Sequence, residues 1–300
     1  MTWLPDWTER RWLVLTGAGV STDSGIPDYR GPGAPARSPM TYQEFLGSQH
    51  ARQRYWARAH VGWSHMGTAE PNAAHRDLAR RQREGQLIGL ITQNVDGLHE
   101  KAGHRDVVDL HGRIDRVICL DCGEVTSRRR LHHRLVALNP GWEDREAEVA
   151  PDGDVLIDDT EDFVVAPCEN CGGRLKPDVV FFGETVPKPR VARCFDLVEQ
   201  ARRENAVLVV IGSSLQVMSG LRFVRRAAKD GTTVVIINRG TTRGDELADV
   251  KIDAGAAQTL AAISRPGAPQ ESWRNRMVSG SSASAVNTSG ETAADTSVTT

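Results

Sequence analysis

A chain of 300 residues, 39% hydrophobic and 25% charged, is long enough to bury one large core and carry an insertion. A net charge of −2 argues against a polyanion-binding surface, and no apolar run reaches the roughly 18 residues needed to cross a membrane. The opening MTWLPDWTERR has neither the apolar stretch of a signal peptide nor an acid-free, Arg-rich transit pattern, so a cytoplasmic protein is expected.

Five short apolar runs, each bounded by Gly or polar turns, read as fully buried strands: 12–16 (WLVLT), 87–92 (LIGLIT), 107–111 (VVDLH), 206–212 (AVLVVIG) and 233–238 (TVVIIN). Amphipathic stretches at 73–84, 188–204, 219–230 and 255–264 read as helices. Buried strands alternating with helices predict an α/β fold, a doubly wound, Rossmann-like parallel sheet. Such a sheet places its chemistry just past the carboxyl ends of the strands. The rhythm breaks between His111 and Gly173, where a small domain (113–172) is inserted, so the sheet domain is discontinuous, 1–112 and 173–265. Residues 32–72 read as a helical module beside the pocket. The insert carries a basic helix-like stretch (127–138), whose Arg128-Arg129-Arg130 reads as a solvated face, and an acidic one (143–162). From 266 to 300 the chain is rich in Ser, Thr, Ala and Gly, the composition of a disordered tail.

Each strand end carries polar residues. The first runs into TGAGVSTDSGIPDYRG (16–31), where Gly17 and Gly19 would let the backbone approach a pyrophosphate. The third glycine of the usual dinucleotide fingerprint is displaced to Gly25, so glycine spacing alone is a weak signal and an ordinary turn is the competing reading. Asp23, Asp28, Tyr29 and Arg30 strengthen it by adding acid, ring and guanidinium to one loop. TQNVDGLHEKAG (92–103) puts Gln93, Asn94 and Asp96 past the second strand, able to hold ribose hydroxyls or a carboxamide, or else to make local turn bonds. His111 ends the third; an imidazole of ordinary pKa about 6.5 there could act as a general base or be a satisfied structural residue. GSSLQVMSG (212–220) and Asn238-Arg239-Gly240 follow the last two strands.

Four of the five cysteines form two CxxC pairs, Cys119/Cys122 and Cys168/Cys171, each followed by Gly. Four thiolates with no position left for water suit a structural zinc ion. The 45 intervening residues add little, since loop-closure cost grows slowly with length. Cys194, in a helical stretch without an acid–base partner, reads as a small core residue.

Together GAGVSTDSGIPDYRG, TQNVDGLHEKAG, the His of DLHG, both CxxC pairs, KPDVVFFGE, GSSLQV and the Asn of INRG resemble the sirtuin family, in the family's order, over residues 5–265. LNPGW…APDGDV, GSSLQVMSG and TTRGDELADVKI bring it nearest the class II-like branch that includes the mitochondrial lipoamidase-type sirtuin. The resemblance implies an NAD⁺-dependent protein lysine deacylase that consumes NAD⁺ as a co-substrate and holds one structural zinc. His111 and Asn94 are then the expected catalytic residues. The implied NAD⁺ contacts are Gly17, Ala18, Gly19, Asp23, Asp28, Tyr29 and Arg30; Gln93, Asn94 and Asp96; Gly212, Ser213 and Ser214; and Asn238, Arg239, Gly240 and Ala256. Acyl-lysine peptides would add as a β-strand near Val179–Phe182. No nucleic-acid or membrane partner is implied, and the oligomeric state stays open. Acid-preferring members carry a Tyr and an Arg three residues apart in the acyl pocket. Tyr55 and Arg58 have that spacing, but the expectation is that Trp56 takes the Tyr position, leaving no matched Arg and favouring neutral acyl chains. Two other readings share these motifs, an ADP-ribosyltransferase and a non-catalytic NAD⁺ or ADP-ribose binder; a zinc-ribbon nucleic-acid binder is disfavoured by the charge.

Overall fold

The structure, a computed structural model, describes residues 6–29, 39–142, 145, 155, 157 and 159–264. Arg30, most of the acidic stretch between 143 and 158, and the tail 266–300 lie outside them. In chain order the elements are β1 (Trp12–Thr16), α1 (Tyr42–Gly47), α2 (Gln49–Thr68), α3 (Ala73–Arg83), β2 (Leu87–Thr92), α4 (Leu98–Lys101), β3 (Val107–Asp109), β4 (Gly112–Cys119), β5 (Val125–Ser127), α5 (Arg128–Leu138), β6 (Leu175–Val179), α6 (Lys188–Arg203), β7 (Val207–Ile211), α7 (Met218–Lys229), β8 (Val234–Ile237), β9 (Val250–Ile252) and α8 (Ala256–Ile263). Among the described residues no helix is long and apolar enough to cross a membrane.

Six strands form the main sheet in the order β3-β2-β1-β7-β8-β9, all parallel. This is the doubly wound order, and its connections reverse direction at β1, between β2 and β7. Alternate side chains of the buried strands serve two cores. Leu13, Leu15, Ile91, Leu208, Val210 and Ile236 pack with Cys194 and Leu197 of α6 and Leu221, Phe223 and Val224 of α7. Trp12, Val14, Leu90, Val209, Ile211, Val235 and Ile237 pack with Ala74 and Leu78 of α3 and Leu260 of α8. Both faces being covered, the strands read as unbroken apolar runs. Cys194 is a core residue as expected, its thiol pushed up to about 12 by burial. The sixth strand, β9, lies at the edge and has only three residues, too short to leave a pattern in the sequence.

Three antiparallel strands, ordered β5-β4-β6, make the second sheet. Its third strand is drawn from Leu175–Val179, which the sequence alone gave to the larger domain. α1 and α2 pack against this small sheet. Phe45, Tyr55 and Trp56 share one core with Ile114, Val117, Leu131, Leu135 and Phe181. A capping box starts α1: Thr41 Oγ1 accepts from Glu44 N at 3.2 Å, and the Glu44 carboxylate accepts from Thr41 N at 2.7 Å. Within the basic block, Arg129 and Arg130 are exposed as expected, but Arg128 corrects that reading. It is 1% exposed, its guanidinium lies over the rings of Trp56 and Trp63 at 5.2 and 5.0 Å, and it donates to the Ala59 carbonyl at 3.0 Å. Cation–π contact with two indoles offsets part of the cost of burial. That burial lowers its pKa to about 10.

At the centre of the main sheet the turns after β1 and β7 meet. Gly212 has φ +63°, and a Cβ there would press into the Val20 nitrogen and lie 2.6 Å from the Gly19 carbonyl carbon. Gly212→Ala is expected to lose more than the roughly 1–2 kcal/mol of a left-handed alanine, because the clash adds to it. Urea unfolding should show the stability reduced; a wild-type midpoint would contradict this account of the turn.

Candidate functional site

A cleft of about 910 Å³ opens at the carboxyl ends of the strands. It is lined by Gly17, Ala18, Gly19, Asp23, Asp28 and Tyr29 after β1, and by Gln93, Asn94 and Asp96 after β2. His111 enters from the β3–β4 junction, Gly212, Ser213 and Ser214 follow β7, Asn238 and Arg239 follow β8, and Ala256 opens α8. Gly240 is not in the lining. Its N–H donates to the Asp253 carboxylate at 2.9 Å and its carbonyl accepts from Lys251 Nζ at 2.9 Å, so this left-handed turn faces the end of β9.

Buried polar bonds hold the first two loops together. Asn94, 9% exposed, donates its Nδ2 to Ser21 Oγ at 3.0 Å, and Ser21 donates to Asp96 Oδ2 at 2.7 Å. The other Asp96 oxygen accepts from Leu98 N at 2.9 Å, a turn bond that fixes the carboxylate. Behind them, Thr16 Oγ1 donates to Thr92 Oγ1 at 2.9 Å and lies 3.0 Å from His99 Nε2. Burial lowers His75 to about 4 and holds His99 well below the usual imidazole value. Both rings are therefore neutral near neutral pH and act as hydrogen-bonding scaffold.

His111 stands apart from that group. Its Nδ1 is 2.9 Å from the Gln93 carbonyl and its Nε2 is 2.7 Å from Ser219 Oγ. Burial lowers its pKa; the Gln93 carbonyl opposes the shift, and Arg190 and Arg222 add to it. The ring is thus a neutral base on the cleft wall at physiological pH. Gln93 also ties its side-chain amide to Ser213 Oγ at 2.7 Å, joining the second loop to the turn after β7.

Tyr55 lines the cleft; Trp56 does not, which corrects the register expected at this helix. Adjacent residues on a helix point in different directions. Trp56 turns into the core beneath, 1% exposed, and donates Nε1 to the Leu175 carbonyl at 3.0 Å. Arg58 donates Nε to the Ile157 carbonyl at 2.9 Å and is not in the lining. At the mouth, Phe182, Val217 and Met218 are exposed on either side, and Val179–Phe182 runs along one lip. The lip is anchored by Tyr42 N donating to the Phe182 carbonyl at 2.9 Å and Val180 N to the His111 carbonyl at 2.7 Å.

Sequence reasoning passed over Ser21, Ser219 and Arg222. The two serines lie inside motifs already singled out, GAGVSTDSG and GSSLQVMSG, and a hydroxyl there gives no sign of a partner distant in sequence.

The four cysteines come together in the small module, where their Sγ atoms all lie within 4.8 Å of one another. Cys119 and Cys171 are 3.5 Å apart and Cys122 and Cys168 3.9 Å, far too long for a disulfide. A tetrahedral ion with Zn–S bonds of about 2.3 Å needs sulfurs about 3.8 Å apart, so the set fits one zinc ion. Each pair is a tight turn: Gly123 N donates to the Cys119 carbonyl and Gly172 N to that of Cys168, both at 2.9 Å.

The model of the Sir2 family matches residues 17–219. The chain is 54% identical over 259 residues to NAD-dependent protein deacetylase 1 of Mycobacterium avium (strain 104), covering 85% of this chain and 90% of that protein. It also superimposes on a solved structure of Sir2 with a p53 peptide and NAD⁺, with a TM-score of 0.69, 28% identity and coverage of 86% and 94% of the two chains. A structure of Sir2 bound to acetylated peptide gives a TM-score of 0.66 at 26% identity, with the same coverage.

With no protein ligand other than thiolate, the metal's role in the module is structural. Cys122→Ser is expected to reduce zinc content from one per chain to near none. It should lower Tm by at least about 5 °C, given about 2–4 °C per kcal/mol in a domain of this size. Elemental analysis and thermal melting check this, and an unchanged melting curve on metal loss would remove zinc from the fold.

Proposed function

The chain belongs to the Sir2 family and is an NAD-dependent protein deacetylase, and from that premise we propose that His111 is its general base in passing an acyl group from lysine to ADP-ribose. The observation that carries this reading is a neutral imidazole in the wall of an NAD⁺-sized cleft, held at both ring nitrogens. The loop after β1, with Asn94 and Asp96, would receive the nicotinamide half. Ser213, Ser214 and Asn238 would receive the adenosine half, and Arg30 would reach the phosphates. In this reading 1–112 and 173–265 form the NAD⁺ domain and 113–172 the zinc ribbon, its sheet completed by Leu175–Val179.

The chemistry follows from those groups. Nicotinamide is a good leaving group, and as it departs the ribose C1′ gains oxocarbenium character. The acyl-lysine oxygen attacks C1′ to give an alkylimidate. His111 then takes a proton from the ribose hydroxyls, the 2′-oxygen attacks the imidate carbon, lysine leaves as its protonated amine, and water adds to the cyclic acyloxonium that remains and opens it. Products are nicotinamide, lysine and O-acyl-ADP-ribose. The depressed pKa of His111 keeps it unprotonated, and so competent as a base, somewhat below pH 6.5. His111→Ala is expected to lower deacylation by about 10²–10⁴-fold, the usual contribution of general-base catalysis, with NAD⁺ affinity largely retained. Substantial O-acyl-ADP-ribose formation by that variant, read by mass spectrometry, would refute the role. ADP-ribosylated protein as the main product would favour the transferase reading.

Tyr55 on the cleft wall, with Arg58 turned to the Ile157 carbonyl, supports a pocket for neutral acyl chains of the kind taken by the lipoamidase-like branch. The exposed Phe182, Val217 and Met218 support a peptide lying between the two lips as an added strand. Four thiols kept for a metal suit a reducing compartment, in keeping with a cytoplasmic site of action. Across acetyl, lipoyl and succinyl peptides, kcat/KM is expected to be at least about tenfold lower for succinyl, the cost of about 1.4 kcal/mol for an unpaired carboxylate. Preferred succinyl turnover would overturn this.

A further inference from the structure

The second nitrogen of the His111 ring has a partner that no motif announces. Ser219 is the second residue of α7, 9% exposed, and its Oγ lies 2.7 Å from Nε2. The other end of the ring settles the direction of that bond. A carbonyl only accepts, so the Gln93 oxygen at 2.9 Å requires hydrogen on Nδ1. In the neutral ring Nε2 is then a bare acceptor, and the hydrogen of the Nε2 contact comes from the serine. Gln93 follows β2 and Ser219 opens α7, so the ring is pinned between two separate elements of the fold. Both residues also line the cleft.

On the general-base reading above, we propose that Ser219 is the positioning residue for His111: it fixes the tautomer and ring plane and, from the cleft wall, relays the ribose proton to the one Nε2 lone pair that it occupies. A hydroxyl suits this task in both protonation states. While the ring is neutral, Ser219 donates to Nε2. When a ribose hydroxyl gives up its proton, its O–H bond breaks, the electron pair stays on the sugar oxygen that attacks the imidate carbon, a new O–H bond forms on Ser219 Oγ, and the serine's own hydrogen passes to Nε2 as the N–H bond. The resulting imidazolium donates from Nδ1 to Gln93, and from Nε2 to the Ser219 oxygen, whose new hydrogen lies on the cleft side. An alanine offers neither bond, and the ring would be held at one end alone.

The test separates steps before and after the base acts. Nicotinamide exchange into NAD⁺ needs C1′ chemistry but no proton transfer to His111, whereas release of O-acyl-ADP-ribose needs both. Ser219→Ala is expected to lower deacylation kcat by about tenfold, a fraction of the 10²–10⁴ carried by the base itself. It should leave the exchange rate and the KM for NAD⁺ within about twofold, a free-energy change of under about 0.5 kcal/mol. Ser219→Thr, which keeps the hydroxyl, should restore most of kcat. In a His111→Ala background Ser219→Ala should cost nothing further, because the two act as a unit. An exchange rate reduced in step with kcat, no rescue by threonine, an additive loss in the double variant, or wild-type kcat for Ser219→Ala would each overturn the proposal. Failure of the underlying reading looks different: wild-type protein would then make no O-acyl-ADP-ribose, or His111→Ala would remain active.

Discussion

The turns leaving β1 and β7 touch through backbone alone: Gly19 N–H donates to the Gly212 carbonyl at 2.8 Å and Gly17 N–H to the Ile211 carbonyl at 3.1 Å. Side chains are excluded there, since a Cβ on Gly17 would fall 2.8 Å from the Cβ of Ser213. Because β1 lies between β2 and β7, this contact stands where the sheet changes winding direction and a crevice must form. With the two turns in contact, Gln93 can reach Ser213, and Ser21 can bridge Asn94 and Asp96. A wider turn would part the loops and leave those buried polar groups without partners, at about 1–3 kcal/mol each.

His111 owes its place to a different constraint. It is the last residue before the chain leaves the main sheet for the small one, and Gly112, at φ +81°, lies against the Asp178 backbone as β4 meets β6. The imidazole therefore hangs from the junction of the two sheets. The loop after β2 and the start of α7 supply Gln93 and Ser219, and the segment after β6 fixes the His111 carbonyl through Val180 N–H. Neutral imidazoles behind the site and a neutral imidazole in it divide the labour by access. His99 is sealed in the core as scaffold, whereas His111 meets the cleft.

How much of this the sequence disclosed depends on the range of each interaction. The strands β1 and β2 are read to the residue and α3, α6, α7 and α8 to within one residue at each end, since apolar periodicity is a local property. The loops past the strand ends were identifiable because parallel sheets place chemistry there, and CxxC spacing carries its own geometry. Strand β9 escaped because three edge residues make no period, and Gly240 was grouped with Asn238 by proximity in sequence although the turn directs it elsewhere. Arg128 and Ser219 were illegible for one reason. A buried cation between Trp56 and Trp63, or a hydroxyl on an imidazole 108 residues away, depends on elements meeting across the fold.

The same long-range logic joins the four cysteines to the cleft wall. Trp56 donates to the Leu175 carbonyl, Leu175 pairs with Cys119 across the small sheet, and Cys119 is a thiolate of the metal set. On the preceding residue of α2, Tyr55 packs edge-on to Trp56 and Phe45 at 5.5 and 5.4 Å and presents its ring to the cleft. Interiors packed this densely transmit displacement and do not absorb it. A zinc ion held by these cysteines, none of which lines the cleft, would thus still set where Tyr55 stands on the cleft wall, because one hydrophobic core holds both.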